Sequence, residues 1–229
     1  TYLEQENAYT ESVLAPAKEL RAQLFKEMRA RIKEDDSTAP IPFRGWRYYS
    51  RTEKDKQYAI YCRIADTPGA QEEVLLDLNQ LGEGRAYVAL GHYRVSDDGT
   101  RLAYSIDWTG YRQYEVFVMD LATKQPVAQQ IGKVSDLEWG AGNDVLYFVT
   151  ENESKRSDKV HRWTMSTAQR ELLFEEKDEL FNVEVTKSQD GRWLFINSES
   201  KVTAQPFGLR SDDHTGRFAP LLARVENEK

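Results

Sequence analysis

The stretch Tyr93–Gln125, YRVSDDGTRLAYSIDWTGYRQYEVFVMDLATKQ, decides the fold. It holds two strands around the Asp98-Gly99 turn, then a third strand and another turn, and the same order returns twice downstream. Aligning DDGTRLAYSI with AGNDVLYFVT and QDGRWLFINS puts Leu102, Leu146 and Leu194 in register, 44 and then 48 residues apart. A unit of that length, with four short strands, is the repeat of a β-propeller blade. Asp98-Gly99 and Asp190-Gly191 supply the positive φ angles that a tight hairpin needs, and Gly142-Asn143-Asp144 does so in the middle copy. The runs VLYFV and WLFI are apolar at successive positions, so both of their faces should be covered, as in a sheet stacked between two others.

Working outward, the period marks units at residues 43–78, 86–131, 132–176 and 177–224, within a β body spanning 43–229. Four such units fit either a closed small ring or part of a larger one. In front lies a segment of helical period: Leu20, Leu24, Met28 and Ile32 fall four apart, joined by Val13 and Ala17. Pro16 fits the first turn of the second of two helices. The stretch EDDSTAPIP, Glu34–Pro42, then ends the helical part, so residues 1–37 form a leader with one apolar stripe to bury. The expected fold class is mainly β: a partial, open, about four-bladed propeller behind an α-helical leader.

The chain has 229 residues, 31 basic against 38 acidic, with net charge −7. An acidic balance without any Lys/Arg run argues against nucleic acid and against anionic membrane as partners. No apolar stretch reaches the roughly 18 residues a membrane span needs. The single cysteine, Cys62, lies in the strand-like run YAIYC, which rules out an internal disulfide, favours a reducing compartment and reads as a buried, inert thiol. The first residue is Thr1 rather than Met, the mark of a trimmed or processed chain.

YLEQENAYTESVLAP, RGWRYYSRTEKDKQYAIYCR, EEVLLDLN and VSDDGTRLAYSIDWTGYRQYEVFVMDL together resemble the N-terminal region of the oligopeptidase B group, in the prolyl oligopeptidase family of serine peptidases. ENAYTE and the Tyr-rich run are the most specific pieces, and the ordered likeness extends over nearly the whole chain. The resemblance implies a leader that packs on a peptidase domain and a seven-bladed propeller of which this chain holds about four blades. It also implies a C-terminal α/β-hydrolase domain, absent here, with a Ser, Asp and His triad. By the same resemblance the substrates are short basic peptides cut after Arg or Lys, the propeller gates their access, and the location is cytoplasmic. The competing reading is a non-enzymatic propeller module that binds a protein or peptide on its rim.

Chemistry within the chain itself is sparse. None of the serines has the Gly-x-Ser-x-Gly setting of a nucleophile elbow. His92, His161 and His214 lie in different units without metal or triad spacing and read as surface or turn residues. Asp97-Asp98 and Asp212-Asp213 are neighbours on turns and cannot face one another across a substrate, and Asn152-Glu153-Ser154 matches a glycosylation sequon by chance. Trp46, Trp108, Trp139, Trp163 and Trp193 are spread over all units, as blade-to-blade packing requires. No catalytic, cofactor-binding or metal-binding residue is assigned. YRVS and FNVEV are the expected walls of an axial channel.

Overall fold

The computed structural model describes residues 1–225, with the backbone alone for residues 128–130. The leader forms α1, Tyr2–Leu14, and α2, Lys18–Ala30, joined by a 3-10 turn over Ala15–Ala17. Pro16 sits in that turn, where its missing N–H and fixed φ cost nothing. Neither helix buries a residue.

Among the described residues, sixteen strands follow in four antiparallel meanders. The first sheet holds β1 (Ile41–Phe43), β2 (Trp46–Arg51), β3 (Ile60–Ala65) and β4 (Glu72–Asp77), and the short helix α3 (Leu78–Leu81) leads out of it. The second holds β5 (Ala89–Val95), β6 (Arg101–Asp107), β7 (Tyr114–Asp120) and β8 (Pro126–Ile131). The third holds β9 (Val134–Trp139), β10 (Val145–Glu151), β11 (Ser157–Thr164) and β12 (Gln169–Glu175). The fourth holds β13 (Asn182–Lys187), β14 (Trp193–Glu199), β15 (Ala204–Arg210) and β16 (Ala219–Pro220). Each is one propeller blade, and the mainly β fold with a helical leader is the one its sequence pattern demands.

Alternation along each strand sends successive side chains into different interfaces. On β10, Leu146 and Phe148 pack with Ala103, Val116 and Val118 of the second sheet. Val145, Tyr147 and Val149 of the same strand pack with Val183, Val185, Leu194 and Ile196 of the fourth. All five are buried, which is why VLYFV carries no polar alternation. The first and second sheets meet through Tyr48, Tyr61, Leu76, Tyr93, Leu102 and Met119. Covering apolar area at roughly 25 cal/mol per Å2, these three apolar interfaces supply the main driving force for the array.

The ends of the array are different. On the first sheet Tyr61 faces the second sheet, so Cys62 points to the free side, where it is nonetheless fully buried under Tyr49, Arg51 and Glu72. Arg51 donates to Glu72 from Nε at 3.2 Å and Nη2 at 3.0 Å, and Tyr49 Oη donates to the same carboxylate at 2.5 Å. Burial pushes the Cys62 thiol up to about 11. On the fourth sheet Trp193 lies on the free side and is 39% exposed. The chain beyond β16 runs back along β15, with Leu221 N–H donating to Pro206 O at 2.9 Å and Arg224 to Glu176 at 2.5 Å.

Candidate functional site

The first strand of each blade is an edge strand, with backbone groups unpaired on one side. β5, β9 and β13 lie against one another along the inner edge of the array. Their unpaired groups would invite other strands unless capped or charged. Side chains from neighbouring blades provide that cap. Asp136 Oδ1 accepts the Leu137 N–H at 2.8 Å, its Oδ2 accepts the Val185 N–H of the next blade at 3.0 Å, and His92 Nδ1 of the preceding blade lies 3.6 Å away. One level along, Glu138 accepts its own neighbour's N–H, that of Trp139, at 3.0 Å and Arg94 Nε at 3.0 Å. The Trp139 indole N–H donates to Arg94 O at 2.8 Å. Burial pushes both carboxyls above their ordinary range, against the pull of His92 on Asp136 and of Arg94 on Glu138. YRVS and FNVEV therefore belong to this inner wall, and β9, VSDLEW, stands between them.

At one end of the wall the hairpins joining first to second strands meet. Asp98 organises its own turn: Ser96 Oγ donates to it at 2.7 Å and the Thr100 N–H at 3.1 Å, which together outweigh burial and leave its carboxyl below the usual range. Asn143 of the next blade's turn donates to Asp98 at 2.7 Å, and Arg101 Nη1 reaches back to Asn143 O at 2.8 Å. From the first blade, Arg63, stacked 3.8 Å over the Trp46 ring, donates to Gly99 O at 2.8 Å. Asp97 turns the other way, and Lys187 Nζ donates to its two oxygens at 2.7 and 2.8 Å.

The remaining sequence candidates stay apart. His92 and His161 lie within strands rather than turns, each partly buried; His161 stacks 5.1 Å from the Phe148 ring and pairs with Thr150 Oγ1 at 3.1 Å. Burial pushes His161 below its ordinary value. Asp213 accepts the Gly216 N–H at 2.8 Å and Asp212 pairs with Arg210, so that pair serves its turn. Asn152 Oδ1 accepts the Ser154 N–H at 2.9 Å, also as a turn former. Trp139 and Trp163 are core residues, while Arg85 covers the Trp108 ring at 3.9 Å. Among the described residues, no three His, Cys, Asp or Glu side chains gather as a metal site, and no helix is long and apolar enough to cross a membrane. The cross-blade partners of Asp97, Asp136 and Glu138 went unseen in the sequence, where only their charge could have marked them.

The sequence profile of the prolyl oligopeptidase N-terminal β-propeller domain matches residues 1–229. Dipeptidyl aminopeptidase BI of Pseudoxanthomonas mexicana is 35% identical over 223 residues, covering 89% of this chain and 31% of that protein. Protease 2 of Moraxella lacunata is 34% identical over 221 residues, covering 92% of this chain and 32% of the relative. Among solved structures, oligopeptidase B from Leishmania major superposes with a TM-score of 0.90 at 29% identity, over 98% of this chain and 33% of that one. This chain thus spans about a third of the length of the relatives it matches. A propeller-domain match along the whole chain, together with these relatives and this architecture, places the chain in the prolyl oligopeptidase family, as its N-terminal β-propeller region.

Proposed function

We propose that this chain is the gating part of a serine oligopeptidase that cleaves short peptides after Arg or Lys. The carrying observation is the TM-score of 0.90 to an oligopeptidase B over 98% of the chain, in line with the motifs ENAYTE and RYYSR. In this reading the Ser, His and Asp of acyl transfer lie on an α/β-hydrolase domain outside the present residues. The leader gives independent support for a missing neighbour. Leu20, Leu24, Phe25, Met28 and Ile32 are 45–67% exposed, an apolar face that costs free energy until something covers it. Residues 1–37 are proposed to pack on the hydrolase domain, and the free faces of the first and fourth sheets to meet further blades of a larger ring.

A propeller over the active site admits flexible peptides and excludes folded proteins by size. The test is to present one Arg-containing sequence to the full-length protein twice, as a free short peptide and within a rigid loop of a folded host. Cleavage of the first and survival of the second is the expected outcome; equal cleavage removes gating from the proposal. A second reading follows the relative from Pseudoxanthomonas mexicana, a dipeptidyl aminopeptidase. It requires a free substrate α-amino group, so blocking the N-terminus would abolish its activity while leaving an endopeptidase unaffected.

A further inference from the structure

The register of the repeat makes Lys187 anomalous. Val95 pairs with Leu102, Trp139 with Leu146 and Lys187 with Leu194, so the three occupy one equivalent position. The second blade half-buries a valine there, the third fully buries a tryptophan, and the fourth places a lysine whose side chain is only 8% exposed. A buried ammonium needs partners, since desolvation otherwise favours its neutral form. Lys187 is the last residue of β13 in the fourth sheet. Its amine reaches Gly140 O at 3.0 Å and both oxygens of Asp97, which is 18% exposed.

Arg44 completes the cluster from the first sheet. Phe43 pairs with Trp46, leaving Arg44-Gly45 as a two-residue hairpin with φ values of 49° and 78°. That turn prefers Asn or Gly at its first position, and an arginine there is under strain. The guanidinium extends to Asp97, Nη1 to Oδ1 at 3.3 Å, and lies against the fourth sheet's turn so closely that a Cβ on Gly191 would collide with Nη2. The Asp97 N–H also donates to Gly142 O at 3.2 Å, and the Ala141 N–H to Ser211 O at 2.8 Å. Ser211 follows β15 and its Oγ donates to Gly191 O of the fourth sheet's hairpin at 2.6 Å, so these turns form a closed circuit, first to second, second to third, third to fourth and fourth back to first. At the level of these turns the first and fourth sheets touch across the array, Arg44 against Gly191.

We infer that Arg44, Asp97 and Lys187 form an electrostatic clasp, with Asp97 as its hub, that holds the first and fourth sheets together and shuts this end of the inner passage. A solute reaching the inner wall then enters from the opposite end or between separated sheets. A buried ion pair is weak as a stabiliser but exacting about geometry, which suits a fixture that sets spacing.

The experiment places nitroxide labels on Arg47→Cys and Arg192→Cys in the full-length protein and measures their separation by pulsed electron spin resonance. The buried Cys62 stays in place. The clasp predicts one narrow distance distribution, which lengthens and broadens in Asp97→Asn and in Arg44→Gln. Arg44→Gln leaves the Lys187–Asp97 pair intact and reports on the arm across the passage even where Asp97→Asn fails to fold. A folded Arg44→Gln protein whose distribution superimposes on the parent's overturns the inference.

Discussion

Leu146→Ala probes the stacking of blades directly. Leu146 has no exposed surface, sits on a strand hydrogen-bonded on both sides, and packs against the second sheet while its neighbours Val145 and Tyr147 grip the fourth. The strand cannot move to fill the cavity without lifting those neighbours out of the opposite interface. The loss therefore belongs in the middle of the range for buried leucines, about 3–4 kcal/mol. Against a total stability on the order of 5–15 kcal/mol, that is a large fraction. Urea unfolding followed by circular dichroism reads it as a midpoint lowered by roughly 1–2 M at unchanged slope. Leu172→Ala, on the outermost strand of the same sheet and 43% exposed, is the control and loses under about 1 kcal/mol. Equal losses at the two positions refute the stacked arrangement.

Glu138→Gln separates burial from charge. Because burial raises the Glu138 pKa in the folded state, the folded protein binds this proton more tightly than the unfolded chain. Its contribution is fully present below the unfolded value and is lost as pH rises through the folded one, so wild type should gain on the Gln variant as a urea series moves from pH 7 toward 4. Cys62, with its thiol pushed up to about 11, should resist a disulfide reagent at pH 8 in the native protein and react at once in denaturant. For the isolated chain, Leu24→Glu with Met28→Lys should reduce self-association in sedimentation without moving the urea midpoint, since neither residue is buried.

The sequence showed the blades because a sheet stacked between two others must be apolar on both faces, and VLYFV, buried at all five positions, breaks alternation for that reason; WLFI departs from the expectation, since Leu194 and Ile196 are buried while Trp193 is exposed on the free side of the fourth sheet. Weaker strands escaped. Pro42 disguises β1, and the polar residues of PVAQQI and VSDLEW hide β8 and β9 because those strands lie at sheet edges. The four-residue helix α3 is capped by Asp77, which accepts the Asn79 N–H at 2.8 Å, and no periodicity can reveal so short a segment. The inner-wall pairs were harder still. Arg94 and Glu138, 44 residues apart, and Asp97 and Lys187, 90 apart, meet only through the rotation between successive sheets. Local pattern carries no record of that rotation. It did carry one trace, a lysine at a register position where the sister blades hold Val95 and Trp139.

The central claim, that this propeller serves a peptidase selective for basic residues, is tested by assaying the full-length protein and residues 1–229 side by side. The substrates are chromogenic peptides ending in Arg, Lys or Pro, with blocked N-termini. Hydrolysis after Arg and Lys by the full-length protein, with Pro substrates spared and the 229-residue piece inert, is the predicted result. A full-length protein that cleaves after Pro, or cleaves none of them, contradicts the account.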